Sequence, residues 1–222
     1  MNNRDPKAGL RPAGGKGGAV QRQYASQASD YERRWAGYLD ATLKTTLAAL
    51  HARAAERILD VGCGTGLLLR ELQIMEPGVE GYGVDVSEEM LVIAADRSPG
   101  ARHVRADVHQ LPFRGRSFDA VVSSSSLHHW ARPSQVLTGI RKLLRPGGRL
   151  VLTDWADDFL PTRVLSLILR VTDRSHVRTF TSAELCAMLE QTGFDVQRIQ
   201  LYRFGWKWGF TTISAKLNRP AS

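Results

Sequence analysis

The sequence predicts an α/β fold organised around an open, doubly wound sheet, and three observations carry that expectation. The first is Ile58-Leu59-Asp60-Val61-Gly62-Cys63-Gly64-Thr65-Gly66, an apolar strand-like run that enters a glycine turn, with a helix following from about Leu67. The second is Gly81-Tyr82-Gly83-Val84-Asp85, a second strand ending in an acid 19 residues past Gly66. In open α/β sheets an acid at about that distance accepts hydrogen bonds from a ribose. The third is the end of the chain, where Asp195 to Arg203 and Lys207 to Leu217 both read as strands. Two strands in succession with no helix between them predict a hairpin.

The remaining elements fall into place around these three. Tyr31, Trp35, Leu39, Leu43, Leu47 and Leu50 recur at helical spacing and predict an amphipathic helix ahead of the first strand. Ala101 to Ala106 forms a third strand and Ser117 to Ser123 a fourth, separated by the loop Pro112 to Ser117. A helix from about Pro133 to Leu144 leads through Pro146-Gly147-Gly148 into a fifth strand ending near Leu152. Val164 to Val171 is an apolar helical run, and Thr181-Ser182-Ala183-Glu184 has the form of a capping box opening a helix to about Thr192.

The glycine turn narrows the ligand class. Glycine tolerates positive φ and has no Cβ, so such a turn lets backbone approach a ligand closely, and the helix N-terminus behind it favours a polar or anionic group. A dinucleotide fingerprint needs G-x-G-x-x-G, which would put its third glycine at position 67, where Leu67 stands. The pattern here is G-x-G-x-G with Asp60 two positions ahead. With Asp85, with Asp107-Val108 after the third strand, and with the Pro-Gly-Gly turn, residues 56 to 155 resemble the class I S-adenosylmethionine (SAM)-dependent methyltransferases, in particular the type 11, small-molecule branch.

The resemblance implies a Rossmann-like, doubly wound, seven-stranded sheet: five parallel strands and a C-terminal hairpin, one strand of it antiparallel. It implies SAM as cofactor, held by Asp60, Gly62, Cys63, Gly64, Gly66 and Ser123, with Asp85 and Val86 at the ribose and Asp107 and Val108 at the adenine. It also implies that Tyr24, in an entry segment reaching to Tyr31, closes over SAM; ordinary packing against the sheet edge is the alternative for both tyrosines. The domain boundaries that follow are a flexible basic tail (1–22) and a methyltransferase domain (23–222). The latter divides into a helical lid (23–54), a SAM-binding core (55–155), a substrate-cover insertion (156–180) and a terminal helix with the hairpin (181–222).

Composition bounds the function. The chain has 222 residues, 43% hydrophobic, enough to bury a sizeable core. Cys63 and Cys186 are too few for a disulfide framework or zinc cluster, and no metal is expected. No apolar run is long enough to span a bilayer and no signal-peptide core stands at the N-terminus, so a cytoplasmic location is expected. The formal charge is +8, of which residues 1–22 hold +4, from Arg4, Lys7, Arg11, Lys16 and Arg22 against Asp5. A second basic cluster, Arg132, Arg141, Lys142, Arg145 and Arg149, reads as a solvated face near a helix C-terminus.

The acceptor must be sought after the fourth and fifth strands. Ser123-Ser124-Ser125-Ser126-Leu127-His128-His129-Trp130 lies at the edge where ligands collect in open sheets. His128 or His129 there is placed to take a proton, or else serves packing. The acidic or asparagine residue, paired prolines and aromatic of base-nitrogen methylases are absent, so nucleic acid is not favoured. Tyr31, His128, Trp155 and Phe159 are the candidate acceptor-lining residues, and the apolar helix after them either covers the sheet, lines a pocket or docks against lipid. The expected function is methyl transfer to a small apolar or amphipathic metabolite such as a quinone, lipid or phenol. An RNA or protein methyltransferase, and a non-catalytic SAM-binding regulator, are the alternatives; oligomeric state is left open.

Overall fold

The computed structural model describes residues 31–173 and 175–218, together with Gly18 and Gln21, and side chains within the first helix from Ala36 onward. The expected tail and Tyr24 lie outside these residues, as does the side chain of Tyr31. The elements run α1 (Tyr31–Leu50), β1 (Arg57–Val61), α2 (Leu67–Met75), β2 (Glu80–Asp85), α3 (Glu88–Arg97) and β3 (Arg102–Arg105). They continue with β4 (Phe118–Ser124), a single 3-10 turn (Leu127–His129), α4 (Pro133–Leu143), β5 (Leu144–Trp155), α5 (Leu160–Thr172), α6 (Ser182–Gln191), β6 (Phe194–Phe204) and β7 (Trp208–Leu217).

One seven-stranded sheet takes the order β3-β2-β1-β4-β5-β7-β6. Strands β1 to β5 pair in parallel, while β7 runs antiparallel to both β5 and β6. The order therefore reverses between β1 and β4, and the crevice beyond their C-terminal ends is the topological switch point at which such sheets bind ligands. The expected fold class is the one observed. The fifth strand is longer at both ends than the sequence suggests, because Leu144 pairs with Phe118 ahead of the turn and Trp155 with Phe210 beyond Leu152.

Both faces of the sheet are covered, as the period-2 alternation of its buried strands requires. Leu59, Val61, Val121, Leu150 and Leu152 face one way, onto Leu137 and Ile140 of α4 and Leu185 and Leu189 of α6. Ile58, Ala120, Val122 and Val151 face the other, onto Leu68 and Leu72 of α2 and Leu50 of α1. Helix α1 is thus a core element along its C-terminal half. Tyr38 stacks on Phe210 at 5.7 Å and 3°, and a hydroxyl chain ties α1 to the sheet, Thr46 donating to Thr153 at 2.7 Å with Thr212 2.8 Å further on.

The basic cluster before β5 is only partly a solvated face. Arg149 makes a two-pronged pair with Glu56 (2.8 and 2.7 Å) and also donates to the carbonyls of Leu50 and His51. Arg145 pairs with Asp119 at 2.6 and 2.8 Å, and that carboxylate also accepts from the Arg57 backbone N–H. These arginines clamp the α1–β1 connection and the start of β4, at the end of the sheet away from the switch point. At α6 the sequence signal is met in full: Thr181 accepts from the Glu184 N–H and Glu184 from the Thr181 N–H. Thr181→Ala removes one half of that reciprocal cap. It should cost about 1 kcal/mol, read as a lower urea midpoint with an unchanged denaturant slope.

Candidate active site

The glycine turn sits at the switch point. Gly62, Gly64 and Gly66 adopt φ of 76°, 52° and 76°, a left-handed conformation that side-chain-bearing residues rarely take. Each glycine has its own reason. A Cβ on Gly62 would overlap the Ser126 hydroxyl, and one on Gly66 would press on Ala94 of α3, whereas at Gly64 the space is open. Gly83 of β2 completes the arrangement, since a Cβ there would come 2.8 Å from the Cys63 sulfur and 2.9 Å from Leu69. The loop consequently lies flat against β2. The N–H groups of Gly62 and Cys63 donate to the Val84 carbonyl at 2.8 and 3.0 Å, and that of Gly64 donates to Asp85 at 2.9 Å. These three N–H groups are therefore engaged by β2 and not presented to an anion.

Asp85 ends β2 and accepts from Gly64 on one oxygen and from the Ser87 N–H, at 2.9 Å, on the other. Burial raises its pKa, and those backbone N–H groups pull against the rise. Asp60, at the end of β1 and 2% exposed, has no such relief. Its burial, and then the neighbouring Asp85 charge, push its pKa up to about 8. Asp107 follows β3 and accepts from both the N–H and the Nδ1–H of His109, at 2.9 and 2.7 Å. The tautomer is set from the other side, because His109 Nε2 accepts from the Arg132 N–H at 3.3 Å.

One cavity gathers these groups. Its lining includes Asp60, Gly62, Cys63, Gly64, Asp85, Val86, Asp107, Val108, Ser124 to Ser126 and His129. Ten of the cofactor residues named from sequence thus meet in one place or directly behind it: eight line the cavity, Gly66 packs the turn against Ala94 of α3, and Ser123 is buried with its hydroxyl donating 2.7 Å to the Val61 carbonyl. Asp60, Asp85 and Asp107 bring three carboxylates, and among the described lining residues no Lys or Arg appears. The rest of the wall is largely apolar: Leu39 and Leu43 from α1, Leu67 and Leu68 from α2, Met90 from α3, and Trp130.

The two histidines separate in role. His129 lines the cavity and His128 does not. His129 Nδ1 lies 2.9 Å from the Ser175 carbonyl; a carbonyl only accepts, so Nδ1 carries the proton and Nε2 the lone pair. Burial, with the adjacent His128 second, lowers its pKa to about 3, which keeps the ring neutral. His128 lies behind it, 3% exposed, with Nδ1 2.7 Å and its own N–H 3.1 Å from the two oxygens of Asp154. Burial by itself would raise Asp154, but the His128 partner and the N–H groups of Trp155 and His128 outweigh it and hold the carboxyl below its usual range. Trp155 stacks on His128 at 4.6 Å and 13°, so it supports the histidine and does not line the cavity. Phe159 is elsewhere too, packed over Gly209 of the hairpin with Arg203 5.4 Å above its ring.

Several site residues had no sequence assignment. His109 was within reach, as an Asp-x-His turn beside the predicted adenine acid. Ser125 was not: it takes φ 55°, and its hydroxyl is buried without a partner among the described residues, in the cavity wall next to His129. Trp130, which donates to Ser126 at 3.0 Å and so pins that serine over Gly62, likewise shows only in three dimensions. Among the described residues no group of three His, Cys, Asp or Glu side chains is placed to hold a metal ion.

Known proteins agree with this geometry. A family model described as a methyltransferase domain matches residues 59–152. A demethylmenaquinone methyltransferase from Lactiplantibacillus plantarum is 30% identical over 192 residues, 73% of this chain and 80% of that protein. A protein of Streptomyces fradiae described as an uncharacterized 37.1 kDa protein in transposon TN4556 is 40% identical over 115 residues, 49% of this chain and 33% of its own. The chain spans only 33%, 43% and 46% of the length of that protein and of the demethylmenaquinone methyltransferases of Thermotoga maritima and Beutenbergia cavernae. In fold, a Haemonchus contortus phosphoethanolamine N-methyltransferase superposes with a TM-score of 0.76 at 17% identity, over 95% of this chain and 62% of its own. With the G-x-G-x-G turn, Asp85 and the β3-β2-β1-β4-β5-β7-β6 sheet in place, this chain belongs to the class I SAM-dependent methyltransferases.

Proposed function

We propose that the protein transfers the methyl group of SAM to a small, uncharged, apolar or amphipathic acceptor of the quinone or phenol type. The observation that carries this reading is the charge of the cavity, with three carboxylates and no Lys or Arg among its described lining residues. A cationic donor suits such a site; a phosphorylated or carboxylated acceptor finds no counter-charge there. Relatives named demethylmenaquinone methyltransferase favour the same acceptor class.

SAM, when bound, supplies a methyl group already made electrophilic by its sulfonium. Asp85 is the residue to hold its ribose hydroxyls and Asp107 its adenine amino group, and Asp60 answers its positive charge. Gly64, open on its cavity side, leaves room for close approach. What the chain must add is orientation and exclusion of water, and orientation alone can supply about 7–11 kcal/mol of a bimolecular barrier. Leu39, Leu43 and Trp130 keep the site apolar. His129 Nε2 takes the proton that a phenol or reduced quinone loses from the oxygen or ring carbon that receives the methyl group. Its low basicity suffices because that proton becomes strongly acidic once the new bond to the methyl carbon forms. Ser125 offers its unpartnered hydroxyl to SAM or the acceptor, and the Asp154–His128 pair positions His129 from behind.

A labelled-methyl assay on fractionated cell extract should place label in the organic-soluble fraction; label confined to RNA or protein sinks the acceptor class. Asp85→Asn should weaken SAM binding at least about tenfold with the fold intact, and unchanged affinity would mean the cofactor is held elsewhere.

The acid at Asp60 gives a signed pH prediction. Its folded pKa of about 8 lies above the unfolded value of about 3.9, so the folded apo protein binds that proton more tightly. Its contribution to stability is fully present below about pH 4 and is lost as pH rises through 8. A bound cation reverses the preference, so SAM binding at neutral pH should release a proton. Calorimetry in buffers of different ionisation enthalpy should detect that release in the native protein and a smaller one in Asp60→Asn.

His129 gives another. A base that is neutral above about pH 3 predicts no loss of kcat between pH 7 and 5, whereas an ordinary histidine would titrate near 6.5. His129→Ala should lower kcat about 10²-fold or more. A wild-type acid limb near 6.5, or full activity in the variant, would remove His129 from this role.

A further inference from the structure

Helix α5 is amphipathic the wrong way round for a helix that covers a sheet. Its buried positions are polar: Thr162 donates to the Lys207 carbonyl and accepts from the Gly209 N–H, and the Ser166 hydroxyl lies 3.0 Å from His176 Nε2. Leu169 packs inward against the Tyr38, Trp155 and Phe210 cluster, but most of the helix's apolar residues point outward. Leu160, Val164, Leu167, Ile168 and Val171 are 48 to 87% exposed, and their spacing puts them on one stripe of the helix. The β6–β7 turn is held beside the first turn of the helix by the Thr162 bonds. There Trp206 is 71% exposed with the Lys207 ammonium 5.1 Å from its ring.

The charges beside this stripe have one sign. Arg163, Arg170, Arg203 and Lys207 flank it, while α5 and the stretch from Ile199 to Trp208 contain no Asp or Glu. The acids just beyond the ends of the helix are engaged by neighbouring groups: Asp157 accepts from Thr179, Asp158, which stays exposed, from Ser182, and Asp173 from Ser175. An apolar stripe whose helix carries only cations, with an exposed tryptophan on the adjoining turn, is the arrangement that lies in the headgroup region of an anionic bilayer. Among the described residues no helix is long and apolar enough to cross a membrane, so the contact is with one leaflet.

We infer that α5 and the β6–β7 turn form a docking face for an anionic lipid surface. The face is joined to the cavity by a short path. Ser166 meets His176, and the neighbouring Ser175 carbonyl and Val177 N–H hold His129 and the His128 carbonyl respectively. The membrane thus lies on the side of the molecule that carries the proposed base. This docking does not depend on the identity of the acceptor, and its test reads binding, not methyl transfer.

The test is flotation of the full chain with vesicles of equimolar phosphatidylcholine and phosphatidylglycerol, against vesicles of phosphatidylcholine alone. The expected result is binding to the anionic vesicles that weakens with salt and is much poorer to neutral ones. The triple variant Val164→Ser, Leu167→Ser, Val171→Ser and, separately, the pair Arg163→Gln, Arg170→Gln should each bind about tenfold more weakly or worse. Thermal midpoint and SAM affinity should stay unchanged, since these side chains are exposed and outside the cavity. Absence of vesicle binding, equal binding to neutral vesicles, or unaltered binding by both variants overturns the proposal. So does a protein that is dimeric without lipid and becomes monomeric in the triple variant, which would assign the face to a second copy.

Discussion

Two carboxylates buried side by side at a reversal of strand order are what the rest of this molecule is arranged around. Asp60 and Asp85 end adjacent parallel strands, and burial there disfavours their charges unless something answers them. The chain answers one. Asp85 takes N–H groups from Gly64 and Ser87, and to bring Gly64 within reach the loop must fold back on β2, which requires glycine at 62, 64 and 66 and again at 83. Asp60 is left to be answered by a ligand. An apolar wall, three acids and the lack of Lys or Arg among the described lining residues then follow as one design: a place where a cation is more stable than water or an anion would be.

That constraint explains which parts of the site are legible in the sequence. The turn, Asp85 and the capping box at Thr181 are local, each needing only neighbours within a few residues, and each is found where its pattern places it. The sheet order is legible for a related reason, since alternating strands and helices with a helix-free end leave few topologies open. Ser125, Trp130 and the α1 wall are different. Their roles come from chain segments meeting across the sheet: Trp130 matters because Ser126 overlies Gly62, and Leu39 because α1 crosses the mouth of β1 and β4. Helical spacing marked Leu39 and Leu43 as a buried face but could not say that part of this face lines a cavity.

The same limit applies with opposite sign to α5. Periodicity measures that a helix has an apolar side, not which way the side points. For α1 and α4 the apolar side is the core side. For α5 the inner side is fixed by Thr162, Ser166 and their partners, so the apolar stripe is left facing out. Trp155 and Phe159 show the same limit: both are aromatic and follow the ligand edge of β5, yet in the structure one braces His128 and the other packs on Gly209 of the hairpin, outside the cavity wall.

The two histidines show why adjacency in sequence is weak guidance to chemistry. A 3-10 turn rotates consecutive residues well apart, so His128 and His129 cannot both face the cavity even though their rings stand only 4.0 Å apart. Asp154 bonds the one that faces inward, while its charge still acts on His129. The outcome is a graded arrangement, with an ionised carboxylate, a hydrogen-bonded imidazole and then a neutral imidazole with its lone pair on Nε2. A proton arriving at His129 is disfavoured at rest by burial and by His128, and favoured by the Asp154 charge. Such a group holds a proton only briefly, which suits a site that receives a cation and must not accumulate a second fixed positive charge beside it.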